Sequence, residues 1–268
     1  MKKLLNIMII LLFMLLSSCV PEDETETDGD ITDDGDPNEV VTFPDPGLEK
    51  CVRKAIVKPE GDILLEDLKY VYSLKYCEGF EIRDLTGIEK ITVLQSFQAS
   101  NNKIKDLTPL SKCVNLTDLD LSDNEIEDAS PLENLVNITR LNVYNNSISD
   151  ISYVKNMVNL NSFYTGGNPI KDISPIANLT NLESFSCAEA QISNLPEFSN
   201  LKKLENFRVQ ENKIISIKSI KSLLNLKLID VSENCITDFS PIDYLKENGM
   251  LTSVQGDSAS DQDYGKCE

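Results

Sequence analysis

The chain has 268 residues, no His and no Trp, and its 44 Asp and Glu against 25 Lys and Arg give a formal charge of -19. This balance argues against nucleic acid as a partner, because phosphate backbones are bound by clustered Lys and Arg. Without imidazole, Ser-His-Asp and Cys-His arrangements are excluded and the usual general base near neutral pH is missing, so the chain reads as non-catalytic and without a cofactor.

At the N-terminus Lys2 and Lys3 precede an apolar run, Leu4 to Leu16, broken only by Asn6. Thirteen helical residues cover about 20 Å, short of the roughly 30 Å hydrocarbon core, so residues 1–18 read as a signal peptide and not as a span. Leu16-Ser17-Ser18-Cys19 resembles a bacterial lipobox, which implies lipidation of Cys19 and attachment to a membrane through an N-terminal lipid. The alternatives are an ordinary signal peptide with a chance cysteine, or an uncleaved anchor. Val20 stands where an Asp would hold many Gram-negative lipoproteins at the inner membrane. The resemblance therefore points to the bacterial cell envelope, at the outer membrane or cell surface.

Ten carboxylates and no base lie between Pro21 and Glu39. Low hydrophobicity with one sign of charge predicts an extended acidic tether over residues 19–42. A calcium-loop reading from Asp30 fails at its twelfth position, Val41, where a bidentate Glu is required.

Residues 43–84 read as an N-terminal cap. Asp45 is placed to cap a helix, Pro46 suits its first position, Pro59 stops it, and Leu48, Val52, Ala55 and Ile56 form its apolar stripe. Residues 62–84 look like a degenerate first repeat. From Leu85 to Asp238 the chain then divides into seven 22-residue units without insertion or deletion. One reads "LTPLSKCVNLTDLDLSDNEIED" and the next "ASPLENLVNITRLNVYNNSISD". This is the leucine-rich repeat pattern, visible as Leu116, Leu119, Leu121, Asn124 and Ile126. It predicts an α/β solenoid, a horseshoe with a parallel β-sheet on the concave face, short helical or 3-10 turns on the convex face, and a helical cap.

The physics gives each fixed position a task. Leu119 and Leu121 alternate as a strand should and point inward, while Leu110, Leu116 and Ile126 face the same interior. The asparagine column Asn102, Asn124, Asn146, Asn168, Asn212 and Asn234 falls where each unit leaves its strand, and its amides can satisfy buried backbone groups. The column breaks at Ala190, where an altered turn is expected. Residues 239–268 read as a C-terminal cap that loses the pattern after Asn248, followed by a loosely ordered polar tail over 253–268.

The 22-residue period, the "DLTPL", "DASPL" and "DISPI" phrases and the short helical cap resemble internalin-type bacterial leucine-rich repeat proteins over roughly residues 43–248. The resemblance implies binding of other proteins through the concave sheet, in several members as adhesins or invasins.

Outward strand positions would form that surface. One column reads Gln98, Asp120, Asn142, Tyr164, Ser186, Arg208 and Asp230, and the next Ser100, Ser122, Tyr144, Gly166, Ala188, Gln210 and Ser232. Gly166 and Ala188 suggest a shallow dent, with Tyr144 and Tyr164 on one flank, Arg208 and Gln210 on the other, and Arg140 beyond. Tyr and Arg are enriched in binding hot spots, so this dent is the candidate site for a protein ligand. The competing reading is that these are routine residues of a solvated strand face. Carboxylates Asp118 and Asp120 share one strand with no sign of a closed pocket, so they do not suggest an enzyme.

Seven cysteines remain to be placed. With Cys19 assigned to lipid, Cys113 and Cys187 fall on inward positions too many coils apart to bridge. Cys51 and Cys77 both lie in the cap and are expected to pair. Cys235, at an outward position, is expected to take Cys267 and pin the tail. The alternative is free thiols. Neither His nor a CxxC spacing exists to hold a metal. The expected protein is a monomeric recognition module. A periplasm-facing envelope scaffold or inhibitor is the alternative from a different class.

Overall fold

The computed structural model describes residues 36–267. The signal peptide, Cys19 and the acidic residues up to Gly35 lie outside them. The acidic tether expected over 19–42 ends earlier than its composition suggests. The Glu39 N–H donates to the Asp36 carbonyl at 2.8 Å, the Leu65 N–H donates to the Glu39 carbonyl, and Val41 is buried. The chain is thus already tied to the cap from Asp36 onward.

Helix α1, Pro46–Ile56, begins as its sequence requires. One oxygen of Asp45 accepts the N–H groups of Gly47 and Leu48 at 2.8 and 3.0 Å, and its other oxygen accepts the Arg83 N–H at 2.8 Å. One carboxylate therefore both caps the helix and fastens it to the following coil. The helix ends at Ile56 with Val57 in the left-handed region, before Pro59 is reached. Its buried stripe is Leu48, Cys51 and Val52, and Ala55, expected in that stripe, is exposed. Cys51 takes the inward place because it is bonded to Cys77. A short helix α2, Leu65–Leu68, leads to strand β1, Ser73–Leu74.

From β1 the chain winds into a solenoid. Strands β2 (Ser96–Gln98), β3 (Asp118–Asp120), β4 (Arg140–Asn142), β5 (Ser162–Tyr164), β6 (Ser184–Ser186), β7 (Asn206–Arg208), β8 (Leu228–Asp230) and β9 (Ser253–Gln255) follow. All are parallel, each pairs with its neighbour in sequence, and the sheet is open with β1 and β9 at its edges. The register from β2 to β8 is 22 residues per rung, so identical repeat positions stack in columns. The fold is the leucine-rich repeat horseshoe, with the sheet on its concave face.

Two side-chain devices shape each coil. Ahead of the convex turns, Asp106, Asp128, Asp150 and Asp172 each accept the N–H two residues on, at 2.7 to 2.8 Å. Such a turn starts the 3-10 segments Thr108–Lys112, Ser130–Leu132, Ser152–Asn156 and Ser174–Asn178. In the next coil Asn194 bonds its neighbour Ser193 instead, and among the described residues no 3-10 turn follows. There Phe198 fills the interior, edge-on to Phe207 at 5.4 Å between ring centroids.

The second device is the asparagine column. Asn168 donates its amide to the Val143, Thr165 and Gly166 carbonyls at 2.9 to 3.2 Å and accepts the Ile148 N–H at 2.8 Å. Asn102, Asn124, Asn146, Asn212 and Asn234 repeat the pattern. At Ala190 the amide is missing, and the Ile170 N–H donates to the Asn168 carbonyl at 2.8 Å, a tighter local turn. A further column on the outer side of five coils, interrupted at Lys203, was not anticipated as structural. Asn115, Asn137, Asn159, Asn181 and Asn225 each donate to a carbonyl 23 residues earlier.

The C-terminus corrects the expectation of a loose tail. After helix α3, Ser240–Glu247, β9 extends the sheet and residues 258–267 fold back across its end. The β8–β9 register is 25 residues, so the next rung of the ladder would place an asparagine at 259, but that residue is Ala259. Gln262 supplies the amide from the tail. Its Oε1 accepts the Ile236 N–H at 3.3 Å and its Nε2 donates to the Gly256 carbonyl at 3.0 Å. The Cys235–Cys267 disulfide and a Tyr264 hydroxyl bond to the Ile236 carbonyl at 2.7 Å hold this plug. Cys235, expected to face outward, is buried because the returning tail covers it. Cys113 and Cys187 are free and buried.

Candidate binding face

The inward column of strand centres carries Phe97, Leu119, Leu141, Phe163, Phe185, Phe207 and Ile229, all buried. Phe163, Phe185 and Phe207 follow one another at 5.8 and 6.0 Å between centroids. This rigid spine holds the outward residues of β4 to β7 in place.

On that outward face Asn142 pairs in register with Tyr164, which pairs with Ser186 and then Arg208. Arg140 lies over the Tyr164 ring, its guanidinium carbon 5.7 Å from the centroid. Tyr144 does not stand at the edge of an open dent. Its ring lies against Gly166, where an added Cβ would come within 3.4 Å of it and 2.8 Å of the Ala188 carbonyl oxygen. The Tyr144 hydroxyl then reaches Glu189, donating to its Oε1 at 3.3 Å. Partial burial, and next the Glu189 charge, push the Tyr144 phenol above its usual range, so it stays a donor.

The expected depression is thus roofed by a tyrosine, and Ala188 is buried at 5 % exposure. The physical reason is the pair of small residues: Gly166 offers a flat backbone on which an aromatic ring can lie. What remains is a platform of two tyrosines with Arg140 on one side. Arg208 and Gln210 lie on and just after β7, one strand beyond Ala188. The Gln210 side-chain oxygen is buried and has no partner among the described residues.

Glu189, the residue that fixes Tyr144, lies outside the two outward columns. It occupies the position after the outward column, where the backbone turns left-handed. Earlier coils carry Asn101, Asp123, Asn145 and Gly167 there, residues that tolerate this conformation, while the last three carry Glu189, Glu211 and Glu233. A glutamate in a left-handed turn costs about 1–2 kcal/mol, which makes this column legible as unusual. The carboxylate of Asp120 is tied down, accepting from Ser122 N, Ser122 Oγ and Asn142 Nδ2 at 3.0, 2.7 and 3.1 Å.

Stacked 22-residue coils, asparagine-sealed turns and an open sheet with a polar and aromatic outer face define a leucine-rich repeat protein. The family pattern of leucine-rich repeats (two copies) matches residues 92–134. No curated protein sequence matches the chain. Among solved structures, internalin C2 of Listeria monocytogenes superposes with a TM-score of 0.74 at 31% identity, covering 80% of this chain and 93% of that one. An internalin (inlF) of the same organism gives 0.65 at 31% identity, covering 79% of this chain and 68% of that one. A plant peptide hormone receptor, RGFR1 in complex with RGF2, gives 0.56 at 23% identity over 63% of this chain and 29% of that one, a likeness of fold alone. The chain belongs to the internalin-type family of leucine-rich repeat proteins. Such proteins act in recognition of other proteins.

Proposed function

We propose that this chain is a non-catalytic, lipid-anchored recognition module of a bacterial cell envelope that binds a protein ligand on its concave sheet. The observation that carries the reading is the Tyr144–Tyr164 platform with Arg140 stacked on it, held rigid by Glu189 and the phenylalanine spine. Aromatic side chains fixed before binding lose little conformational freedom on binding, and Tyr and Arg dominate interface hot spots. The internalin relatives and the peptide-bound plant receptor agree with a protein ligand. Attachment through Cys19, with Val20 following it, favours the outer membrane or cell surface.

Two experiments test the parts separately. Protease treatment of intact cells, read by immunoblot of the repeat domain, decides the side of the membrane. Digestion without lysis is expected, and full protection would transfer the protein to the periplasmic scaffold class. Chemical cross-linking on those cells, followed by identification of the adduct, reads the platform. Tyr144→Ala with Tyr164→Ala should leave the circular dichroism unchanged and remove the adduct seen with wild type, as expected when two hot-spot residues worth about 2 kcal/mol each are lost. An adduct of undiminished yield would show that the platform is not the site.

A further inference from the structure

A second surface stands out at the N-terminal end of the solenoid, where charge runs against the rest of the chain. Between α1 and β1 lies a groove of about 460 Å³ whose lining includes Lys54 and Lys75 and no carboxylate, in a chain of net charge -19. One wall is the stretch from Tyr70 to Tyr76. Tyr70, Tyr72 and Tyr76 are 71, 48 and 74 % exposed, the densest run of exposed aromatic surface among the described residues. Lys69 lies over the Tyr70 ring at 5.0 Å from its centroid. None of Lys54, Lys69 and Lys75 belongs to an ion pair among the described residues.

The wall is also the sheet edge. β1 pairs only with β2, so its other side faces the groove, and its residues Ser73 and Leu74 line it. A free strand edge presents unpaired backbone donors and acceptors that an extended chain can meet. Lys54 and Lys75 line the groove and Lys69 lies beside its Tyr70 wall; Lys54 rests over the Phe80 ring at 4.7 Å, and with no carboxylate among the lining residues these ammonium groups select the sign of such a chain. The tyrosines offer flat apolar area with a polar tip, suited to side chains that alternate along an extended segment.

We propose that this groove takes an extended acidic peptide segment of a partner protein, laid along the free edge of β1. Its carboxylates meet Lys54, Lys69 and Lys75, and its intervening apolar side chains rest on Tyr70, Tyr72 and Tyr76. A groove fits an inserted chain, whereas contact with a bilayer calls for side chains that protrude. The site is separate from the concave platform, and either can exist without the other.

Fluorescence anisotropy with a labelled decapeptide of alternating Glu and Val tests the proposal. Its counterpart of alternating Lys and Val is the control. The acidic peptide should bind the wild-type protein, and Lys54→Glu with Lys75→Glu should weaken it roughly tenfold or more. Tyr70→Ala with Tyr76→Ala should weaken it as well. These side chains are exposed, so the fold should survive both changes, checked by circular dichroism. Tyr144→Ala with Tyr164→Ala should leave peptide binding unchanged. The proposal is overturned if the acidic peptide does not bind at about 1 mM, a level marking only about 4 kcal/mol of affinity. Equal binding of the Lys peptide, or full binding by the Lys54→Glu, Lys75→Glu protein, overturns it too. Sedimentation with phosphatidylserine vesicles in the absence of peptide binding would make this a membrane-contact surface instead.

Discussion

Replacing Asn212 with Ala isolates the device that seals each coil. Asn212 is 1 % exposed and makes four hydrogen bonds. It donates to the carbonyls of Cys187, Val209 and Gln210 at 2.9, 3.1 and 3.1 Å and accepts the Ile192 N–H at 2.9 Å. Truncation does not strand all four partners. The Val209 carbonyl keeps the Asn234 amide at 2.9 Å, and the Gln210 carbonyl keeps the Glu189 N–H at 3.1 Å. The Cys187 carbonyl and the Ile192 N–H lose their partner, and each unsatisfied buried group costs about 1–3 kcal/mol. The Ala190 coil shows the escape open to the N–H, because there Ile170 bonds the carbonyl two residues back. A net loss of about 3 kcal/mol is therefore expected, between the cost of one stranded group and of two. The reciprocal change, Ala190→Asn, should stabilise by about 1 kcal/mol by supplying an amide to the Ile170 N–H and the Thr165 carbonyl. Urea unfolding followed by circular dichroism reads the midpoint shift, and amide hydrogen exchange at Ile192 reads the local opening. Solenoids can lose cooperativity between coils, so the two readings are taken together. A loss below about 1 kcal/mol with Ile192 still protected would refute the reasoning, because the stranded groups would then have found other partners.

Three further outcomes follow from the same geometry. Cys267→Ser should release the plug: opening a loop of 32 residues is worth about 3.7 kcal/mol by chain entropy, and the Ile236 amide should lose its exchange protection. Unchanged protection at Ile236 would mean that Gln262 and Tyr264 hold the tail alone. Burial pushes the thiols of Cys113 and Cys187 up to about 12, so iodoacetamide at about pH 8 should leave both unmodified in the native protein and label both in denaturant. Native labelling of either would place it at an opening coil. The Ser130 N–H holds the Asp128 carboxyl below its usual range, and the Thr108 hydroxyl and N–H do the same for Asp106. Carboxyls depressed in the folded state contribute stability above their unfolded value of about 3.9 and lose it as pH falls below that. Thermal stability should therefore hold from about pH 7 to 5 and fall below about 4, with Asp128→Asn and Asp106→Asn flattening the acid limb. An acid limb of full steepness in the double variant would assign it to other carboxylates.

The repeat was legible because a solenoid imposes one environment on every coil. Leu116, Leu119, Leu121 and Ile126 recur where each coil needs apolar side chains, and Asn168 or Asn212 where each turn needs an amide. The period alone therefore marks both core and ladder. The cysteines of the described residues could be sorted the same way, since Cys113 and Cys187 carry inward positions of coils several rungs apart and Cys51, Cys77, Cys235 and Cys267 lie at the ends. What escaped the pattern is what is not periodic. Gln262 replaces a ladder asparagine from a tail that merely looks polar, because its task exists only once β9 has closed against β8. The tyrosines of the cap looked like a degenerate repeat, and only the packing of α1 beside the sheet edge turned them into the wall of a groove. Tyr144 follows β4 at an exposed position. Its ring direction was set by Gly166 on the next strand and Glu189 two coils away, contacts between residues 22 and 45 positions apart. The local period marks which positions of the repeats face in, and Cys235 departs from it because its cover comes from the returning tail. Tertiary structure decided what the outward side chains do, because their neighbours come from other coils.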